Sequence, residues 1–262
     1  MLTATVNGAD LHYRLDGPEG APVVMFSNSL GTDLRVWDAL LPHLPAGLRV
    51  LRYDKRGHGL SEEPPGPYRI ETLADDAAAL IRHLRLGPVV FVGLSIGGLI
   101  GQSLALRHPD LLAGLVISNS AARIGDPQMW GDRIAAIRRD GLAGIARPTM
   151  ERWFSPAFRA EGRDALWSRM LARQPAEGYI ACCQAIADAD LRAEAARLTL
   201  PVQLIAGGHD GATPPDLVRD TAALIPGARF DLIAEAAHIP CVETPAEYAA
   251  ILTRFFKETA HG

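Results

Sequence analysis

A serine set between glycines, in Gly93-Leu94-Ser95-Ile96-Gly97-Gly98, is the most chemically suggestive stretch of this 262-residue chain. It follows the apolar run Val89–Gly93 and precedes small and apolar residues at helical spacing over 97–107. In that strand–turn–helix context, G-x-S-x-G is a nucleophile elbow. The turn must be so tight that side chains two residues either side of the serine would collide, and glycines occupy both places. Ser95 Oγ is then expected clear of the sheet at the start of the following helix, where free N–H groups favour a developing negative charge. A dinucleotide fingerprint would need Gly where Ser95 stands, and a phosphate loop would need a Gly-Lys-Ser/Thr run that is absent.

A serine hydroxyl needs a base to take its proton, and the base needs an acid to orient it. In folds with such an elbow the order is Ser, acid, His. After the apolar run Val202–Ala206 comes Gly207-Gly208-His209-Asp210, which places Asp210 at a strand end. After Arg229–Ile233 comes Glu235-Ala236-Ala237-His238, which places His238 in the next loop on the same side. His12, His43, His83, His108 and His261 lie before the elbow, at the far end of its helix or at the tail. His209 competes with His238, but adjacent residues cannot readily serve as both base and orienting acid. The end of Leu112–Ser118 reads Ile117-Ser118-Asn119-Ser120, without an acid, which favours Asp210. The oxyanion of an acyl-transfer intermediate needs two backbone donors, one after the nucleophile and one after the third strand. Ile96 and, within Asn28-Ser29-Leu30-Gly31, Leu30 are the candidates.

Those residues must be held by a sheet. Thr3–Val6 and Leu11–Leu15 flank Asn7-Gly8, a strong hairpin signal. Val23–Ser27, Leu48–Tyr53, Val89–Gly93, Leu112–Ser118, Val202–Ala206 and Arg229–Ile233 are further strand candidates, and helical patterns fall near 71–86, 97–107, 214–224 and 244–257. Alternation of this kind predicts an α/β fold: a mostly parallel eight-stranded sheet covered by helices on both faces, with an antiparallel hairpin at its start. The rhythm breaks over 123–195, which reads as three helical stretches and holds 11 Arg and 10 acidic residues. Inserted between the sixth and seventh strands, it would lie over the ends where parallel sheets bind ligands. The expected organisation is a core of 1–122 and 196–262 with a helical lid of 123–195.

Composition narrows the function classes. The chain is 48% hydrophobic and 21% charged, with a net charge of −4, so it can bury a large core. A sequence pI of about 6.1 argues against a general nucleic-acid binder. Leu86–Leu106 carries no formal charge, but its glycines, Pro88 and Gln102 divide it into a strand and a helix and argue against a membrane span. No signal peptide pattern opens the chain, and Cys182, Cys183 and Cys241 suggest no disulfide framework, so a cytoplasmic protein is expected. No metal-ligand spacing is present, and Cys182-Cys183 reads as helix packing. Tyr53-Asp54-Lys55-Arg56-Gly57-His58-Gly59-Leu60-Ser61 reads as a hydrogen-bonded loop that shapes the fold.

The chain resembles the α/β-hydrolases and, within them, the 3-oxoadipate enol-lactonases, nearly end to end. The elbow identifies the superfamily. Asn28-Ser29-Leu30-Gly31-Thr32-Asp33, Ser118-Asn119-Ser120-Ala121-Ala122-Arg123-Ile124-Gly125, Arg152-Trp153-Phe154-Ser155-Pro156 and Asp188-Ala189-Asp190-Leu191-Arg192 carry the narrower resemblance, with Gly208–Pro214 and Ala237–Pro240. Most relatives have His-Gly where this chain has Asn28-Ser29. The resemblance implies a cofactor-free serine hydrolase of aromatic-acid catabolism that opens 3-oxoadipate enol-lactone to 3-oxoadipate. Its substrate would be a small anionic lactone, with no nucleic-acid or membrane partner. A carboxylate-bearing substrate calls for a cation in an apolar pocket, and Arg133 or Arg138 near Trp130 could supply it. Trp130 and Trp153 are pocket candidates, although packing within the lid suits each equally well. Another carboxylester hydrolase, a cofactor-free perhydrolase, or a receptor that keeps the triad for binding are the alternatives.

Overall fold

A computed structural model describes residues 1–259; the tail residue His261 lies outside them. Eight strands form one sheet: β1 Leu2–Val6, β2 Ala9–Asp16, β3 Val23–Ser27, β4 Arg49–Tyr53, β5 Val89–Leu94, β6 Leu112–Ser118, β7 Val202–Gly207 and β8 Arg229–Ile233. Their spatial order is β1-β2-β4-β3-β5-β6-β7-β8. β1 and β2 run antiparallel around Asn7 (φ 48°) and Gly8 (φ 74°), as the Asn-Gly pair predicts. β2 also pairs antiparallel with β4, and every later pairing is parallel. β5 is buried along its whole length, as its continuous apolar run predicts.

Helices α1 (Ile70–His83) and α2 (Ile96–Arg107) pack on each other, and α2 also packs on β5 and β6. α2 is buried nearly throughout, which explains why its apolar residues show no polar face. The segment between β6 and β7 forms five helices: α3 Pro127–Gly144, α4 Ala146–Trp153, α5 Pro156–Ala160, α6 Ala165–Ala172 and α7 Ala176–Asp188. The sequence predicts three. The first of those expected helices is α3, kinked within at Gly141 (φ 69°, ψ 177°), and α4 starts anew at Ala146, while α5 opens with a Ser155 cap and Pro156. α8 (Pro215–Leu224), α9 (Pro240–Glu243) and α10 (Pro245–Thr259) complete the chain.

The inserted helices are tied to the sheet's C-terminal edge. Gly57 and Gly178 meet backbone to backbone: a Cβ on Gly178 would lie 2.4 Å from Gly57 Cα. Gln174 Oε1 accepts from Gly59 N–H, and Trp153 O accepts from His238 N–H. Cys182 and Cys183 are buried and unpaired in α7, as packing residues would be, and burial pushes the Cys182 thiol up to about 12. No helix among the described residues is long and apolar enough to cross a membrane.

Candidate active site

Ser95 stands at the turn from β5 into α2 with φ 59° and ψ −117°, a conformation that a non-glycine residue holds only when its surroundings force it. Its N–H donates to Ser118 O, and its own carbonyl accepts from Gly98 N–H. The two flanking glycines are obligatory, as the tight turn predicts. A Cβ on Gly93 would lie 2.1 Å from Gly97 O, and one on Gly97 would lie 2.3 Å from Ser27 O at the end of β3. The nearest contacts are with backbone of the turn and of the neighbouring strand.

Asp210, just past β7, is 5% exposed and its carboxylate is fully occupied. Oδ1 accepts from the N–H groups of Ala212 (2.7 Å) and Thr213 (2.9 Å). Oδ2 accepts from Thr213 Oγ1 (2.7 Å) and Asn119 Nδ2 (3.0 Å), and lies 2.9 Å from His238 Nδ1. Burial alone would raise the Asp210 pKa; His238 and these donors outweigh it and hold the carboxyl below its usual range. An acceptor-only carboxylate at Nδ1 puts the imidazole proton there and leaves Nε2 with a free lone pair. His238 is itself buried, anchored by its N–H to Trp153 O. His209 is exposed, and its backbone N–H is held by Ala236 O.

Strand order brings the three residues to one edge. Ser95, Asn119, Asp210 and His238 follow the adjacent strands β5, β6, β7 and β8. Asn119 bridges them: its side chain donates to Asp210 and to Ala237 O, and its N–H donates to Ile205 O in β7. Asn119 also has φ 48°, which Asn tolerates better than most residues. The sequence marks this position as lacking an acid and as part of a family motif, without a role for the amide. Beside the elbow, Leu30 and Ile96 are buried, and among the described residues neither N–H donates to a protein acceptor.

The lid candidates divide. Trp153 is 5% exposed and reaches the loop that holds Leu30, since a Cβ on Gly31 would lie 3.4 Å from its ring and 2.9 Å from that of Tyr179. Trp130 Nε1 donates to Ile124 O, a contact within the insertion. Arg133 Nε donates to Tyr179 Oη at 3.0 Å and Nη2 to Thr149 Oγ1 at 3.0 Å. Its guanidinium lies 5.6 Å from the centre of the Tyr179 ring. Arg152 is half-buried beside Gly211, and burial followed by the Arg133 charge lowers its pKa. Among the described residues neither arginine meets a carboxylate, whereas Arg138 and Arg139 are exposed and Arg139 pairs with Asp140. Tyr179 is the residue sequence reasoning missed here. No cluster of three or more His, Cys, Asp or Glu side chains among the described residues could hold a metal ion.

An open α/β sheet with an elbow serine, a strand-end acid and a histidine in the next loop is the architecture of an α/β-hydrolase. The family model described as the alpha/beta hydrolase fold matches residues 22–139. The chain is 38% identical to 3-oxoadipate enol-lactonase 2 of Acinetobacter baylyi, over 97% of each chain. It is 32% identical to enol-lactonase 1 of the same organism, over 98% of this chain and 97% of that one. The crystal structure of the enol-lactonase from Burkholderia xenovorans LB400 superposes with a TM-score of 0.94 at 40% identity, covering 98% of this chain and 100% of that one. The chain belongs to the 3-oxoadipate enol-lactonase family of α/β-hydrolases and is a hydrolase of ester (lactone) bonds.

Proposed function

We propose that the protein opens 3-oxoadipate enol-lactone to 3-oxoadipate in the β-ketoadipate route of aromatic-acid breakdown, with Ser95, His238 and Asp210 as its catalytic triad. His238 Nε2 takes the Ser95 proton as Oγ attacks the lactone carbonyl, and the imidazolium that forms is stabilised by Asp210. The Leu30 and Ile96 N–H groups receive the oxyanion. Collapse of the tetrahedral intermediate breaks the ring C–O bond and releases an enolate, which takes the proton held by His238 and tautomerises to the ketone. Water, deprotonated by His238, then attacks the acyl-Ser95 ester and restores the enzyme. The observation that carries this reading is the Asp210 carboxylate, which four donors hold against His238 Nδ1 in a way that suits the required orientation and tautomer.

The lid of 123–195 would close over this edge and select the substrate's carboxylate. Arg133, with Arg152 beside it, is the proposed partner, and Trp153 with Trp130 would line the apolar part of the pocket. A half-buried cation that meets no protein acid among the described residues is poised to receive one from a ligand. Steady-state hydrolysis of the enol-lactone, measured beside p-nitrophenyl acetate, tests the assignment. The enol-lactone should be preferred in kcat/KM, and Asp210→Asn should lower kcat by about 10⁴ through loss of the correct tautomer. A preference for the simple aryl ester, or an active Asp210→Asn protein, would contradict it.

A further inference from the structure

The loop after β4 carries a lysine and a histidine that the chemistry above does not use. Both are buried, Lys55 at 2% and His58 at 0% exposure, and both reach the loop that holds Leu30. Lys55 Nζ donates to Ser29 O at 2.8 Å and to Asn28 O at 3.4 Å. His58 Nε2 accepts from Gly31 N–H at 2.9 Å, so its proton sits on Nδ1, which faces Cys182 Sγ at 4.0 Å. The Tyr179 ring stacks on His58 from the lid side, with centroids 6.0 Å apart.

The bond to Ser29 O matters because of the peptide it belongs to. The Ser29 carbonyl and the Leu30 N–H are two ends of one planar trans unit and point in opposite directions. A donor that fixes the carbonyl therefore aims the N–H. An ammonium on the carbonyl also polarises the amide and makes its N–H a stronger donor. The next peptide is held through Gly31 N–H on His58, so the Leu30 N–H is constrained from both sides. Burial draws the Lys55 ammonium down to about 8, and among the described residues no carboxylate hydrogen-bonds it. A lysine so placed is costly to the fold unless it serves a purpose.

We propose that Lys55 and His58 are positioning residues for the oxyanion hole, acting on the Ser29–Leu30 peptide and its neighbour. The proposal rests on the reading of Ser95 as nucleophile. It deepens that reading by assigning function to a loop that otherwise only shapes the fold.

The test compares Lys55→Met, His58→Leu and His58→Gln with wild type, each rate normalised to sites counted by fluorophosphonate titration. Loss of a whole oxyanion donor costs about 10²–10³ in kcat, so a misaimed one should cost roughly 10- to 100-fold. Lys55→Met should show that loss in kcat with KM within about twofold of wild type. Its affinity for phenylboronic acid, which adds to serine as a tetrahedral anion, should fall by the same factor. His58→Leu should behave alike, and His58→Gln should recover most of the loss because its amide oxygen can accept from Gly31. A kcat within about threefold of wild type in Lys55→Met, or boronate affinity unmoved while kcat falls, overturns the proposal. Should Lys55→Met not fold, the His58 pair decides: Gln no better than Leu overturns it. Failure of wild type to titrate at all would instead overturn the serine reading.

Discussion

Asn119 Nδ2 lies 3.0 Å from Asp210 Oδ2 and 3.0 Å from Ala237 O, so one amide at the end of β6 braces both the acid and the loop that bears His238. Where β6 might have ended in an acid, it ends in a donor to the acid of the next strand. Substituting Asp at 119 tolerates the left-handed backbone but sets a second carboxylate against Asp210, and two carboxylates so close cannot both ionise freely. Asn119→Asp should therefore move the acid limb of the kcat/KM profile to higher pH. Asn119→Gly, which keeps the backbone and loses the amide without adding a charge, should lower kcat by about 10-fold with a smaller shift of that limb. Identical pH profiles for the two variants would show that a charge at position 119 is not felt by Asp210.

Anion selection should separate the arginines by burial. Arg133→Ala and Arg152→Ala are expected to reduce kcat/KM for the acid lactone by about 10- to 100-fold, the range of one charge-assisted hydrogen bond of roughly 1.5–3 kcal/mol. A neutral lactone of similar size should be affected much less. The exposed Arg138 and Arg139 should show no such discrimination. Equal losses on both lactones at Arg133 and Arg152 would assign these residues to packing.

The elbow glycines give a stability prediction with an internal control. Gly97→Ala must push a methyl against Ser27 O, and Gly93→Ala against Gly97 O. Each should cost at least the upper part of the roughly 1–3 kcal/mol typical of overpacking. Gly131→Ala, in α3 with open space around its Cβ, should be neutral or stabilising by up to about 1 kcal/mol. Thermal melting of the three variants decides this, and equal Tm shifts would show that the elbow can relax.

His58 predicts the sign of acid destabilisation. Burial, and then the Lys55 charge, hold its pKa well below 6.5, while in the unfolded chain it titrates near 6.5. Below pH 6.5 the unfolded state binds the extra proton, so the stability present above that pH declines as pH falls towards the folded value. The slope from this one group is at most about 1.4 kcal/mol per pH unit. Urea midpoints at pH 7, 6 and 5 should fall in wild type and fall less steeply in His58→Gln. Parallel slopes would place the acid sensitivity elsewhere.

The elbow, Asp210 and His238 were legible because a tight turn and two strand ends leave few residue types and few places for them. The strands were legible because apolar runs such as Val89–Val92 are flanked by glycine and proline. Asn119 was not, since an amide in Ile-Ser-Asn-Ser reads as loop until the strand order sets it beside Asp210. Tyr179 was hidden for a similar reason: it meets Arg133 across 46 residues and three intervening helices, and no local period records that. α5, at five residues, is too short to show a helical period and is marked only by its Ser155 cap and Pro156, and α4 has no side-chain cap to announce it. Lys55 looked like one more polar loop residue, because its partners are backbone carbonyls of a loop 26 and 27 residues away.

The central claim is that Ser95 carries the acyl group. Intact-protein mass spectrometry after fluorophosphonate treatment, followed by peptide mapping, measures it most directly. Wild type should gain one adduct, mapped to Ser95, with lactone turnover lost in step with labelling, and Ser95→Ala should gain none and turn over no lactone. An adduct on another residue, or a Ser95→Ala protein that still hydrolyses the lactone at the wild-type rate, would contradict the account.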